Sequence, residues 1–313
     1  MINLKKHIKK NPFILAPMDD VTDIAFRELC EEKGASYSTT ELISVDALIR
    51  EKVFKSRYER GNLKLNSVQL FGSKPEIFTK AANFILDDAD IVDVNFGCPS
   101  PNVTNQFAGA CLLKDPKNVG EIISKLSKEI EKPITAKIRL GYSKTNHIEI
   151  AKEIENSGAE LIAVHGRTAK QKYSGKADWG AISDIYEKIN IPLVGNGDIK
   201  EEEDINKYLN SHCDALMIGR GAIGNPLLFE RFNYYLKNNK KLEFNEIEKK
   251  EIQKNLLKDY IQKLEGRDFY NLNLKIQRQS MWFLKGIEGS RDFRTKISQE
   301  KDINKIFEEI DKF

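Results

Sequence analysis

Lys137 and Arg139 stand two residues apart in the apolar run PITAKIRLG (133–141), so on a strand they point to the same face. Two cations there are partly desolvated and require an anionic partner. One reading is a salt bridge to a strand carboxylate such as Asp93. The other is a bound anion, and the N1–C2=O region of a reduced flavin fits that demand. Cys98, in Asn95-Phe96-Gly97-Cys98-Pro99, is open to three readings: nucleophile, proton donor or inert buried thiol. No Cys-His pair of the protease type accompanies it, which argues against covalent hydrolysis. A proton donor needs only a thiol near the reacting atom and a pKa not far from the working pH. Glycines in GNGD (195–198) and IGRGAIGNP (218–226) let backbone N–H groups approach a phosphate, and a following short helix adds its dipole. Arg220 adds a fixed positive fork, so a phosphorylated cofactor is the favoured ligand.

These residues need a scaffold that gathers strand ends. Short apolar runs predict strands at 13–17, 36–40, 67–72, 90–97, 133–141, 160–166, 191–198 and 214–221, with amphipathic helical segments between them. Most start-to-start gaps are about 22–31 residues, the size of a βα unit. Eight such units predict a (β/α)8 TIM barrel over residues 1–236, with chemistry at the C-terminal ends of the strands. Met18-Asp19, Gln69, Asn95, Lys137, Arg139, His165, Arg167, Asn196-Gly197-Asp198 and Gly219-Arg220 all fall at those ends. The fourth strand is followed by a longer loop, which carries Cys98. Beyond a Lys/Asn-rich linker at 237–241 the pattern turns wholly helical, predicting a small all-helical C-terminal domain over 242–313.

Composition narrows the class. The 313 residues are 40% hydrophobic and 31% charged, which excludes collagen-like, low-complexity and disulfide-scaffold proteins. Four widely spaced cysteines (Cys30, Cys98, Cys111, Cys213) without a CxxC pair argue against zinc and against disulfides, and point to a reducing cytoplasm. No apolar run of about 18 residues exists, so no membrane span is expected. The N-terminus lacks a signal-peptide core, so no export is expected. Residues 231–313 carry 19 Lys/Arg against 14 Asp/Glu, whereas the whole chain is only +3. Within Lys275–Lys296, Lys275, Arg278, Lys285, Arg291 and Arg294 cluster, a distribution that favours a polyanion such as RNA. If 278, 282 and 285 lie on one helix, Arg278, Trp282 and Lys285 form a row on one face.

Taken together, APMDDVTD (16–23), QLFG (69–72), DVNFGCPSP (93–101), AKIRLG (136–141), HGRT (165–168), GNGDI (195–199) and MIGRG (217–221) resemble the tRNA-dihydrouridine synthases. The bacterial B-type branch is the most similar. The resemblance covers the barrel and reaches WFLKG (282–286). It implies an FMN enzyme, reduced by NADPH or NADH, that passes hydride from the flavin N5 to C6 of an extruded tRNA uridine. The loop cysteine then protonates C5. Residue by residue, it makes Cys98 the acid, and Pro17, Met18, Asp19, Gln69, Lys137, His165, Asn196, Gly197, Asp198, Gly219 and Arg220 the FMN shell. Asn95, Arg139 and Arg167 are placed near the uracil or its phosphate. The family often has a histidine three residues before the C-terminal Trp; this chain has Gln279, which can also hydrogen-bond RNA. A monomer that binds tRNA, without metal, is expected. The competing readings are an FMN barrel dehydrogenase of free pyrimidines, of the dihydroorotate or dihydropyrimidine type, and a tRNA-binding barrel that has lost its chemistry.

Overall fold

Runs rich in Ile, Val and Leu, buried on both faces, form parallel strands wherever helices can cover the outside. In the computed structural model, which describes residues 2–300 and 302–313, they do so as β1 (Phe13–Leu15), β2 (Ser38–Thr39), β3 (Ile43–Ser44), β4 (Asn66–Phe71), β5 (Ile91–Asn95), β6 (Ile134–Arg139), β7 (Leu161–His165), β8 (Leu193–Asn196) and β9 (Ala215–Ile218). Every pairing is parallel, and β9 returns to β1 through Phe13↔Leu216, Ile14↔Met217 and Leu15↔Ile218. The sheet is therefore a closed eight-stave (β/α)8 barrel. All eight expected strands are present.

The second stave differs from the expected single strand at 36–40. It is broken: β2 pairs the first half of β4 and β3 the second half. Thr40 bridges the break, its Oγ1 accepting the Gln69 amide at 2.9 Å, so a ladder bond lost to the interruption is replaced by a side chain. A β-propensity pattern cannot reveal such a break, because both fragments are too short to show alternation.

Alternation along the strands sorts the core into two layers. Phe13, Leu15, Val92, Val94, Ile162, Val164, Leu216 and Ile218 face the helices. Ile14, Ile91, Leu161, Ala163, Val194, Ala215 and Met217 fill the barrel, whose lower end is plugged by Leu4 and Ile8 of the helix Leu4–Lys10. The same period of two then carries Asp93, Asn95, Lys137, Arg139, His165 and Asn196 inward and upward toward the C-terminal ends.

The last barrel helix, Leu228–Asn238, stops at Asn239 in the left-handed conformation (φ 51°). Four helices follow: Glu246–Leu264, Leu272–Phe283, Ser290–Gln299 and Ile303–Lys312. Their buried residues Leu257, Tyr260, Ile261, Ile276 and Phe283 belong to the same hydrophobic cluster as the outer barrel layer. Phe283 packs edge-on against Phe26 of the first barrel helix, with ring centroids 6.2 Å apart. Polar links reinforce the contact: Tyr260 donates to Asp23 at 2.8 Å, Arg267 pairs with Glu28 at 2.8 Å, and Gln279 donates to the Val21 carbonyl at 3.0 Å. Because this core is continuous, Phe283→Ala is expected to cost about 3–5 kcal/mol. Urea unfolding should then show the barrel and the C-terminal helices shifting together; a separate early transition of the helices alone would contradict a shared core.

Candidate active site

A cavity of about 990 Å³ opens at the C-terminal ends of the barrel strands. At its floor lies Lys137, half-buried on β6. Its Nζ reaches the Asn196 Oδ1 at 3.3 Å, and among the described residues it makes no ion pair. Burial and the neighbouring Arg139 outweigh the attraction of Asp93 and lower its pKa to about 8. The salt bridge to Asp93 considered from the sequence does not form. Asp93 lies next to Thr135 in register, one inward position below Lys137. Its carboxylate accepts from Gln69 Nε2 at 2.6 Å and from Thr135 Oγ1 at 2.5 Å, while burial pushes its pKa up.

That carboxylate starts a chain of hydrogen bonds that ends at the thiol loop. Gln69 Oε1 accepts from Asn95 Nδ2 at 2.7 Å, and Asn95 Oδ1 in turn accepts the amides of Gly97 (3.0 Å) and Cys98 (2.8 Å). Arg139 holds the same loop from the other side: its Nε donates to the Gly97 carbonyl at 2.8 Å, and its Nη1 to the Thr168 and Lys172 carbonyls at 3.0 and 2.8 Å. The loops after β5 and β7 are thus tied by one guanidinium. Cys98 packs with Leu42, Phe71, Val103 and Ala108. Burial raises its pKa, and the Ser100 amide and the cations of Arg139 and Lys137 offset this only in part, so the sulfur carries its proton at neutral pH. Gly109 (φ +58°) permits the return of the chain: a Cβ there would sit 2.9 Å from the Cys98 carbonyl oxygen.

The opposite wall is built by β7, β8 and β9. His165 is buried among Lys137, Arg139, Arg167 and Arg220, and desolvation first, then those cations, keep its imidazole neutral. Its Nε2 lies 3.3 Å from Arg167 Nη1. Since arginine only donates, Nε2 accepts and the ring proton is on Nδ1. Asp198, in the left-handed region (φ 54°), accepts from Arg167 Nη2 at 2.6 Å and from the Ala177 amide at 2.8 Å, and pairs with Arg220 at 3.3 Å. Burial opposes ionisation of this carboxylate, yet these partners together hold its pKa below the usual value. Gly197 (φ +132°) could not carry a Cβ, which would lie 2.7 Å from that of Ala177. Gly219, where a Cβ would lie in ordinary contact 3.7 Å from Ala16 and Met18, begins the short turn Arg220–Ala222, whose first amides have no partner within the turn.

Of the barrel residues expected at the site, Pro17, Met18, Asp19, Asn95, Cys98, Lys137, Arg139, His165, Asn196, Gly197, Asp198, Gly219 and Arg220 line this cavity. Two do not. Gln69 is fully buried beneath it with both ends of its amide engaged, and Arg167 is spent on Asp198 and on the Ser174 and Gly175 carbonyls. Tyr173 was missed from the sequence: it lines the cavity with the Arg220 guanidinium 4.5 Å and that of Arg139 5.6 Å from its ring centre. An aromatic residue in the otherwise polar loop after HGRT was the available signal.

The C-terminal cations divide. Lys275 is not on the outer face; its Nζ lies 3.1 Å from Asp23 in the domain junction, near Glu41, and these carboxylates raise its pKa against the effect of burial. Arg278 pairs with Asp20 at 2.7 Å on the barrel loop. The row of Arg278, Trp282 and Lys285 does not form, because the helix ends at Phe283. Gln279 is fully buried and turned to the barrel, so it is not placed to meet RNA. Lys285 and Arg291 are exposed, and Arg294 is half-buried. Among the described residues no cluster of potential metal ligands and no helix long and apolar enough to cross a membrane is present.

A thiol and a half-buried lysine without an ion pair among the described residues share the cavity at the C-terminal end of a (β/α)8 barrel. The family model for dihydrouridine synthase matches residues 14–312. A probable tRNA-dihydrouridine synthase of Aquifex aeolicus is 33% identical over 312 residues, covering 97% of this chain and 96% of that protein. The tRNA-dihydrouridine synthase B of Vibrio parahaemolyticus is 36% identical over 295 residues, 91% and 90% of the two chains. That of Pseudomonas aeruginosa is 33% identical over 313 residues, 96% and 92%. The chain belongs to the dihydrouridine synthase family.

The Lys137 environment has a measurable consequence. Between pH 8 and the 10.5 of a free lysine, the unfolded chain holds a proton that the folded, ligand-free protein has lost. Stability therefore rises with pH across that window, and below it the full penalty, on the order of 3 kcal/mol at most, is present. Lys137→Met is expected to be more stable than the wild type at pH 7 when ligand-free, with the gap closing toward pH 10.5 in urea titrations. A gap independent of pH would show that Lys137 is solvated.

Proposed function

We propose that this protein reduces the C5=C6 bond of uridines in tRNA to 5,6-dihydrouridine, with FMN as resident cofactor and NADPH or NADH as reductant. The observation that carries the reading is the half-buried Lys137 ammonium, without an ion pair among the described residues, in one cavity with the protonated Cys98 thiol. FMN, once reduced, supplies the hydride. The residues fit such a group: Lys137 would compensate the anionic part of the ring, and the glycine-bearing ends of β8 and β9 with Arg220 would hold the phosphate. Neutral His165 can donate from Nδ1 without adding charge.

Cys98 holds the proton destined for C5 of the uracil, and a thiol whose pKa lies above neutrality is loaded for that task. Asn95 and Arg139 fix the loop that presents it. Gln69 supports Asn95 from below, and Arg167 orients Asp198 and Arg220; both act through neighbours. Lys52, Lys172 and Lys200 line the mouth, exposed and without ion pairs among the described residues, which suits RNA better than a free pyrimidine. Extrusion of the target uridine gives the wide mouth its purpose. The setting is the cytoplasm, and the working unit a monomer.

Purified protein is expected to be yellow and to bind one FMN, and Lys137→Ala to weaken that binding. Cys98→Ala should leave FMN binding and NADPH oxidation intact while slowing dihydrouridine formation in tRNA by about 10²–10⁴-fold. Cys111→Ala, on the same loop, serves as control and should remain near wild type. Colourless protein that FMN cannot reconstitute would end the reading.

A second measurement separates the C-terminal cations. Lys285→Ala and Arg291→Ala should each flatten the slope of log K for tRNA against log salt by roughly one unit. Lys275→Ala should leave that slope unchanged and lower stability instead, since it strands Asp23 and Glu41. A changed slope in the Lys275 variant would restore it as a phosphate contact.

A further inference from the structure

Two aromatic rings stand open at the rim of the cavity, and neither serves the chemistry described above. Tyr270 is 89% exposed and Phe54 39%, and both line the cavity that holds Cys98. They come from different parts of the chain: Phe54 from the segment between the first two long barrel helices, Tyr270 from the turn between the first two C-terminal helices. Their ring centroids lie 6.3 Å apart with planes tilted by 51°.

The pair is held from beneath. Two residues from each ring, the Ser56 hydroxyl donates to the Asp268 carbonyl across the junction. One residue further, Arg267 pairs with Glu28 at 2.8 Å and with Glu59 at 3.7 Å. A junction so anchored could have folded both rings inward, as it does Phe26 and Phe283. Instead Tyr270 keeps nearly its whole surface in water. Exposed Lys52, two residues before Phe54, lines the same rim and has no ion pair among the described residues.

We infer that Phe54 and Tyr270 form a stacking platform for an unpaired base of the RNA, next to the nucleotide whose base enters the cavity, with Lys52 beside it for the backbone phosphate. The inference rests on the proposed function and adds to it a docking site for a neighbouring base. An extruded nucleotide leaves its neighbours unstacked, and an open aromatic face at the mouth compensates for part of that loss. The tilt of the rings excludes a sandwich between them, so the base lies on Tyr270 and meets Phe54 at its edge. The continuity of the platform with the active-site cavity and the positive rim select a nucleic-acid strand as the occupant.

The test uses the full-length FMN-loaded protein and unmodified tRNA. Tyr270→Ala should weaken tRNA binding and raise KM by about five- to a hundred-and-fifty-fold, the range for losing one base–aromatic stack. Tyr270→Phe should bind like the wild type, whereas Tyr270→Leu, similar in size but without a π-face, should resemble Ala. The salt slope should stay unchanged in all three, because no charge is removed. NADPH oxidation without RNA should also be unaffected. Phe54→Ala should weaken binding less, as that ring is the edge partner. Tyr270→Ala with tRNA affinity within twofold of an active wild type would overturn this inference alone. A wild type that neither binds tRNA nor forms dihydrouridine would overturn the proposed function, and this inference with it.

Discussion

The half-buried ammonium of Lys137, with one amide oxygen in reach, sets the terms for the barrel mouth. A barrel interior can tolerate such a charge only if something else brings a compensating one. The internal carboxylate closest in register, Asp93, is held by Thr135 and Gln69 and is itself pushed toward neutrality. Arg139, Arg167 and Arg220 add three more cations at the same end, and Asp198 is the carboxylate bound to two of them. The field left over is positive. Added to burial, it keeps His165 neutral, and it favours an anion at the ligand-free mouth. Preorganised charge of this kind stabilises a developing negative charge without reorganisation.

Fixing that field in space falls to neutral hydrogen bonds. The chain from Asp93 through Gln69 and Asn95 to the amide of Cys98 runs from the middle of the barrel to the thiol loop. Arg139 closes the arrangement with three backbone carbonyls on two loops. The thiol loop is therefore positioned by a network that begins with Asp93 and Gln69, beneath the residues that line the cavity. Loss of Gln69 would leave buried partners unsatisfied in both directions, so its effect on the reaction would come through geometry, not through ligand contact.

The barrel was legible because its signal is repeated: eight apolar runs with inward polar residues at their ends leave few other topologies. Of the thirteen expected residues that line the cavity, Asn95, Lys137, Arg139, His165 and Asn196 lie within strands, where a period of two settles the side each one takes; the other eight follow the strand ends in loops. What failed did so where side-chain direction depends on a packing partner that periodicity cannot show. On the helix Leu272–Phe283, Ile276, Gln279, Ser280 and Phe283 are buried, and Lys275 borders that stripe. Charge clustering assigned Lys275 to RNA, and the resemblance did the same for Gln279, because neither gives a hint of Asp23 or the Val21 carbonyl, about 250 residues away in the chain. Gln69 and Arg167 were assigned to a ligand by resemblance; their spacing says nothing about which acceptors surround them. The plug helix Leu4–Lys10 escaped because its two buried residues, Leu4 and Ile8, make too short a pattern to read.

The misplaced cations turn out to have a common destination. The loop after β1 contributes Pro17, Met18 and Asp19 to the cavity wall, and its next residues receive the C-terminal helices. Asp20 pairs with Arg278, the Val21 carbonyl accepts from Gln279, and Asp23 accepts from both Tyr260 and Lys275 while its other oxygen caps the first barrel helix. Arg57 extends the set, reaching Asp19 at 3.3 Å and Glu41 at 3.7 Å. Seven residues of loop thus form one wall of the site on one side and the seat of the helical domain on the other. A substitution in that seat would move Met18 and Asp19 as well as the helices, and would reduce activity on RNA without any lost phosphate contact. Only a quantity that counts charges, the dependence of binding on salt, separates a cation that holds the protein together from one that holds the RNA.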